Sequence, residues 1–138
     1  MSDKPKDVVE PKGPVAIKYD EVPWDMSRRP AKELTGLMKK AAEMGAKRKK
    51  VITGQAGFYM NRSVMPANFR VPVHSHSHDE FFVVMEGGCT FDDGIELGKG
   101  DCIVFYAKYR YGFTCGPEGM DFMTIRTGEA TFEMGEQA

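Results

Sequence analysis

The sequence predicts an all-β domain, a barrel or sandwich of short strands, and three observations carry that prediction. From Val51 onward the apolar residues fall in short runs with period two. Gly, Pro, Asn and Asp separate these runs at close intervals, as turns require. The 138 residues suffice for one hydrophobic core and are too few for two.

The chain opens on lysine and proline with few apolar residues, a composition that cannot offset the entropy of ordering. Residues 1–20 are therefore read as a flexible tail and residues 21–138 as a single domain. Within Pro30–Met44, Leu34, Leu37, Met38 and Ala41 recur at helical spacing. Pro30 suits a first turn and Gly45 a stop, which places one helix over about 30–45. The basic run Lys47-Arg48-Lys49-Lys50 is read as the solvated end of that helix, where cations meet the negative end of the dipole. Trp24 is expected to seal one end of the barrel or a dimer contact.

The strand-like runs that follow are Val51–Thr53, Phe58–Met65, Arg70–His76, Phe81–Met85, Cys89–Phe91, Cys102–Tyr106 and Met120–Arg126, a barrel over about 51–134. Asp92-Asp93-Gly94 reads as a hairpin turn. Gly98-Lys99-Gly100-Asp101 reads as a tight reversal.

A formal net charge of −1 gives no general attraction to nucleic acid or to an acidic membrane surface, so neither is expected as a partner. No run approaches a membrane span and no secretory leader is apparent, so a cytoplasmic protein is expected. The three cysteines, Cys89, Cys102 and Cys115, lack metal-site spacing and are read as reduced structural thiols.

All three histidines of the chain lie in Val73-His-Ser-His-Ser-His-Asp-Glu80, each two residues from the next, with a carboxylate two beyond the last. On an unbroken strand His74, His76, His78 and Glu80 share one face. Imidazole nitrogens and a carboxylate oxygen suit a first-row divalent metal, and two His plus one carboxylate is the donor set of non-haem Fe(II) oxygen chemistry.

The spacing His74-x-His76-x3-Glu80-x6-Gly87, followed by the turn and strand of Leu97–Phe113, resembles the two motifs of the cupin family. That resemblance implies a cupin-type β-barrel, a double-stranded β-helix or jelly roll, with a short N-terminal α-helix. It also implies one metal ion held by His74, His76 and Glu80. The sequence departs from the family where Asn68 replaces the opening glycine and where Tyr106, Lys108 and Tyr111 replace Pro, Gly and the fourth-ligand His. A phenol is a poor ligand, so three protein ligands and open metal positions are expected.

Around that centre, Tyr111, Tyr109 and His78 are the candidate proton-transfer residues. Phe82 and Val84 follow Glu80 with period two and, with Met60, Arg62 and Met123, are expected to line a substrate pocket. Inward guanidinium groups of Arg62 or Arg126 are placed to hold a substrate carboxylate. The function expected first is an Fe(II) dioxygenase acting on a small phenolic or diketone-like compound. The alternatives are a lyase or isomerase using a Tyr base with a redox-inert metal such as Zn, Mn or Ni, and a non-catalytic small-molecule-binding barrel; Cu is the remaining candidate ion for the site. A homodimer is expected by analogy with the family.

Overall fold

The computed structural model describes residues 12–25, 35–129 and 132–134. One helix, α1 (Thr35–Glu43), precedes eight strands: β1 (Lys47–Thr53), β2 (Tyr59–Met65), β3 (Arg70–His76), β4 (Glu80–Phe91), β5 (Glu96–Leu97), β6 (Cys102–Phe105), β7 (Tyr111–Arg126) and β8 (Phe132–Met134). The start of the expected helix at Pro30 lies outside the described residues. Its end is where the sequence puts it: Gly45 takes φ 104, and the amides of Gly45 and Ala46 return to the carbonyls of Ala42 and Ala41.

All the strand pairings are antiparallel, and β4 and β7 organise them. The first part of β4 pairs with β6 and with the last part of β7, which continues to β2 and β1. The last part of β4 pairs with β5 and with the first part of β7, which continues to β3 and β8. The result is a jelly-roll arrangement of two half-sheets that is not closed into a full cylinder, and both long strands belong to both halves.

Bulges between Val84 and Glu86 and between Gly87 and Cys89 let β4 change face as it crosses. Inward residues are even-numbered before the bend (Glu80, Phe82, Val84) and odd-numbered after it (Cys89, Phe91). In β7 the change runs the other way, from Tyr111, Phe113 and Cys115 to Met120, Phe122 and Thr124. Glycine makes the corner possible. A Cβ on Gly87 would stand 2.1 Å from the carbonyl oxygen of Gly119, and one on Gly119 would stand 2.4 Å from that of Met65.

The core between the half-sheets is aromatic. Phe82 sits at its centre with its ring centroid 5.1 Å from Phe122, 5.8 Å from Phe91 and 6.2 Å from Phe113. Such stacked, tilted and edge contacts add to the burial of large apolar area.

The expected runs Phe81–Met85 and Cys89–Phe91 join in β4, the short strands β5 and β8 were not expected, and two further differences have a physical reason. Lys47–Lys50 form the start of β1 rather than a helix end, because each face of this strand has partners for cations. Lys49 is 5% exposed, donates to the carbonyl of Tyr19 at 2.9 Å and lies over that residue's ring. Lys47 covers the ring of Trp24, while Arg48 and Lys50 reach Asp25 at 3.7 and 3.6 Å. Tyr19–Glu21, a turn of 3-10 helix that includes part of the expected tail, is thereby pinned against β1, and Trp24 packs on this strand. The second difference is that β7 begins at Tyr111, not Met120. Gly112, Gly116, Pro117 and Gly119 read locally as breakers, but here they let two backbones approach and bend.

Two departures from the family pattern keep glycine's backbone. Asn68 has φ 60 and Lys108 φ 70. Asn tolerates the left-handed region, whereas Lys has no local hydrogen bond to offset its Cβ clash. Lys108→Gly is therefore expected to raise stability by about 0.5–1 kcal/mol in urea unfolding. A loss of stability would show that the lysine side chain holds the turn.

Two thiols are buried. Burial pushes the thiol of Cys89 up to about 11 and that of Cys115 up to about 12, while Cys102 is exposed. Iodoacetamide at neutral pH should label Cys102 alone in the folded chain and all three thiols in urea, read by mass spectrometry. Labelling of Cys89 or Cys115 at the rate of Cys102 would contradict the packing.

Candidate active site between the half-sheets

Strand register assembles the site. His74 lies opposite Tyr111 in the β3–β7 ladder, and Glu80 lies opposite Arg126 in the β4–β7 ladder. The two ends of one long strand thus each deliver a polar side chain to the first histidine and to the carboxylate. Cross-links between loops fix the height of these strands. The amide of Lys108 donates to the carbonyl of His76 at 2.7 Å, and that of Ala107 donates to Asp79 Oδ1 at 2.8 Å.

Glu80 is the hub, 3% exposed. Tyr111 Oη donates to its Oε1 at 2.8 Å, and Arg126 Nη2 meets its Oε2 at 2.5 Å. The same guanidinium nitrogen stands 3.4 Å from His76 Nε2. The rings of His74 and His76 meet edge to face at 5.0 Å, and Tyr111 lies 4.4 Å from His74 between centroids. Beneath Tyr111, Phe105 stacks nearly parallel at 3.9 Å.

Protonation follows from this packing. His74 donates Nδ1–H to the carbonyl of Pro72 at 2.8 Å, which sets the lone pair on Nε2. Burial, the largest influence, lowers its pKa to about 4, so the imidazole is neutral near pH 7. Burial first, then the Glu80 carboxylate, hold the Tyr111 phenol well above its ordinary pKa. Tyr111 is therefore a hydrogen-bond donor here and a poor general base.

The remaining candidates are scattered. His78 lies outside the cluster, bonded to Ser77 Oγ at 2.8 Å, with its ring against Gly128. Tyr109, 52% exposed, sits in the turn before β7 and stacks on Phe105. It flanks a cleft of about 360 Å³ lined by Ile95, Ile103, Phe105, Tyr106 and Tyr111 among others. Tyr111 links the two regions, since its ring borders the cleft and its hydroxyl reaches Glu80. Phe82 and Val84 are fully buried in the core. Arg62 is held bidentate by Asp121 at 2.5 and 2.8 Å under Tyr19, which leaves its fork committed to a protein carboxylate. Met60 and Met123 are half-buried on β2 and β7, and neither lines the cleft. Sequence reasoning gave Arg126 a substrate carboxylate to hold and missed its pairing with Glu80. The period-two link from Phe122 through Thr124 to Arg126 was the available signal.

Whether the residues suit a metal turns on Glu80. Among the described residues no three His, Cys, Asp or Glu side chains are drawn together as a ready metal shell. The donor chemistry nevertheless fits a divalent ion. His74 presents a neutral imidazole whose other nitrogen is fixed by a carbonyl, as metal-bound histidines are. Glu80 Oε2 is buried without an aligned hydrogen bond, despite its closeness to Arg126. Such an oxygen has capacity left for a cation.

The family profile of the Cupin domain matches residues 61–126. The search of curated proteins finds no match. Among solved structures, the chain resembles the polyketide cyclase RemF from Streptomyces resistomycificus, with a TM-score of 0.65 and 20% identity over 91% of this chain and 88% of that one. It also resembles a sugar phosphate isomerase from Silicibacter pomeroyi, with a TM-score of 0.67 and 20% identity over 89% and 83% of the two chains. KdgF from Halomonas sp. superimposes with a TM-score of 0.62 at 15% identity, over 85% of this chain and 96% of the other. Likeness at these identities establishes a common fold.

Proposed function

Given that this chain belongs to the cupin superfamily, we propose that it is a metal-dependent enzyme that moves protons on a small oxygenated organic molecule, in an isomerisation, cyclisation or elimination. The observation that carries this reading is the buried carboxylate of Glu80 between two proton-bearing groups, Tyr111 Oη and Arg126, beside two imidazoles. His74, His76 and Glu80 would hold the divalent ion, which would polarise a substrate carbonyl or hydroxyl as a Lewis acid.

The chain's own groups perform the rest. Tyr111 keeps its proton and donates it in a hydrogen bond, which suits an oxygen that gains negative charge. The aromatic floor of Phe105 and Phe91 keeps bulk water from the reacting atoms. Tyr109 and Tyr106, at the cleft, would contact the body of the substrate rather than its reacting atoms. Solved structures of the same fold that are named a polyketide cyclase and a sugar phosphate isomerase agree with proton-transfer chemistry, as an analogy of fold. The dioxygenase reading rests on the family resemblance and the two-His, one-carboxylate donor set, with no substrate signature beside them.

The test is made on untagged protein, with bound metal measured by mass spectrometry. Small hydroxy-ketones and 1,3-diketones are then followed by NMR in D2O without oxygen. Metal near one per chain is expected, with deuterium uptake beside the carbonyl, and both should be lost in His76→Ala and Glu80→Ala. Turnover that needs both iron and dioxygen would replace this reading with the dioxygenase. A site that cannot be loaded would leave a binding protein.

A further inference from the structure

We propose that Arg126 is the resident cation of this site, so that the Arg126–Glu80 pair and a bound divalent metal exclude one another. The inference rests on the metal-dependent reading above and adds a competitor supplied by the chain itself.

One nitrogen, Arg126 Nη2, lies 2.5 Å from Glu80 Oε2 and 3.4 Å from His76 Nε2, two of the three expected donor atoms. Metal–ligand bonds to such atoms are about 2.0–2.2 Å long, so an ion bonded to both would need the space this nitrogen occupies. Two cations inside so small a buried volume also repel strongly. The guanidinium is held by charge and not by a matched fork. Glu80 Oε2 has no aligned hydrogen bond, and Arg126 Nε is itself buried without a partner. Compare Arg62, which grips both oxygens of Asp121. A loosely matched cation at the end of a strand is replaceable. While it is there, it spares the metal-free chain a lone buried carboxylate. The metal must then pay for expelling it, and its apparent affinity falls by the fraction of time the pair is open.

The test titrates Mn2+ or Zn2+ alone into metal-free protein by calorimetry, comparing wild type, Arg126→Gln, and Arg126→Gln with His76→Ala. One ion per chain is expected to bind about tenfold or more tightly to Arg126→Gln than to wild type. That binding should vanish in the double variant. Equal or weaker binding by Arg126→Gln overturns the competition and leaves the metal reading standing. No binding by either protein overturns both. Because Arg126→Gln strips a buried carboxylate of its cation and can unfold the chain, a second measurement uses wild type: crystals soaked in Mn2+, with the ion located by anomalous scattering. Arg126 withdrawn from Glu80 is the expected result. A guanidinium still in contact with Glu80 beside the ion overturns the proposal.

Discussion

Gly87→Ala and Gly119→Ala are each expected to abolish cooperative folding, or to cost about 4 kcal/mol or more where a folded state survives. The methyl group at either position would meet a backbone carbonyl, 2.1 Å away in one case and 2.4 Å in the other. A carbonyl in a sheet cannot turn aside as a side chain does, so the strands must separate at the bend. Both glycines also have positive φ, 74 and 78, which alone costs a residue with a Cβ about 1–2 kcal/mol. Gly94→Ala is the control that separates the two contributions, because Gly94 has φ 97 and nothing within 4 Å of its Cβ position. Urea unfolding followed by the fluorescence of Trp24, the single tryptophan, gives all three values. If Gly87→Ala and Gly94→Ala unfold alike, backbone conformation is the whole effect and the close approach at the corner is wrong.

The second large effect is at the buried ion pair. The side chains of Glu80 and Arg126 are 1% and 15% exposed, so Arg126→Met in chelator-treated protein leaves an uncompensated carboxylate and should cost about 3–5 kcal/mol. Glu80→Gln alone strands the guanidinium but keeps an acceptor for Tyr111, and its cost should be smaller. The double variant removes both charges and should return to within about 1 kcal/mol of wild type. Additive losses in this cycle would mean that the two side chains do not feel one another.

Much of this structure was legible in the sequence because period-two patterning is local. The bounds of β3, the core positions of Phe82 and Val84, and the common direction of His74, His76 and Glu80 all follow from counting by two. His78 shows the limit of that count, since the strand ends at His76 and the bend turns its ring toward Gly128. The misread elements depend on partners distant in sequence. Nothing around Lys47–Lys50 announces that Tyr19, Trp24 and Asp25 will receive four cations, so helix propensity and the dipole were the only local guides. Residues 111–119 are interrupted by Gly112, Gly116, Pro117 and Gly119, and their pairing is decided by Cys89–Phe91 and Arg70–His74 across the sheet. The contact of Arg126 with Glu80 spans the same kind of gap. Parity could place Arg126 inside, but not opposite that carboxylate.

Because β4 and β7 each run through both halves, neither half can open while the other stays intact. Fraying one half-sheet removes the central strands of its neighbour. The amides of these two strands should therefore exchange with solvent deuterium at a single slow rate set by global unfolding, while those of β5 and β6, paired on one side only, exchange through local openings. A barrel tied together in this way gives its buried acid, phenol and imidazoles one lifetime, and the site persists for as long as the whole chain stays folded.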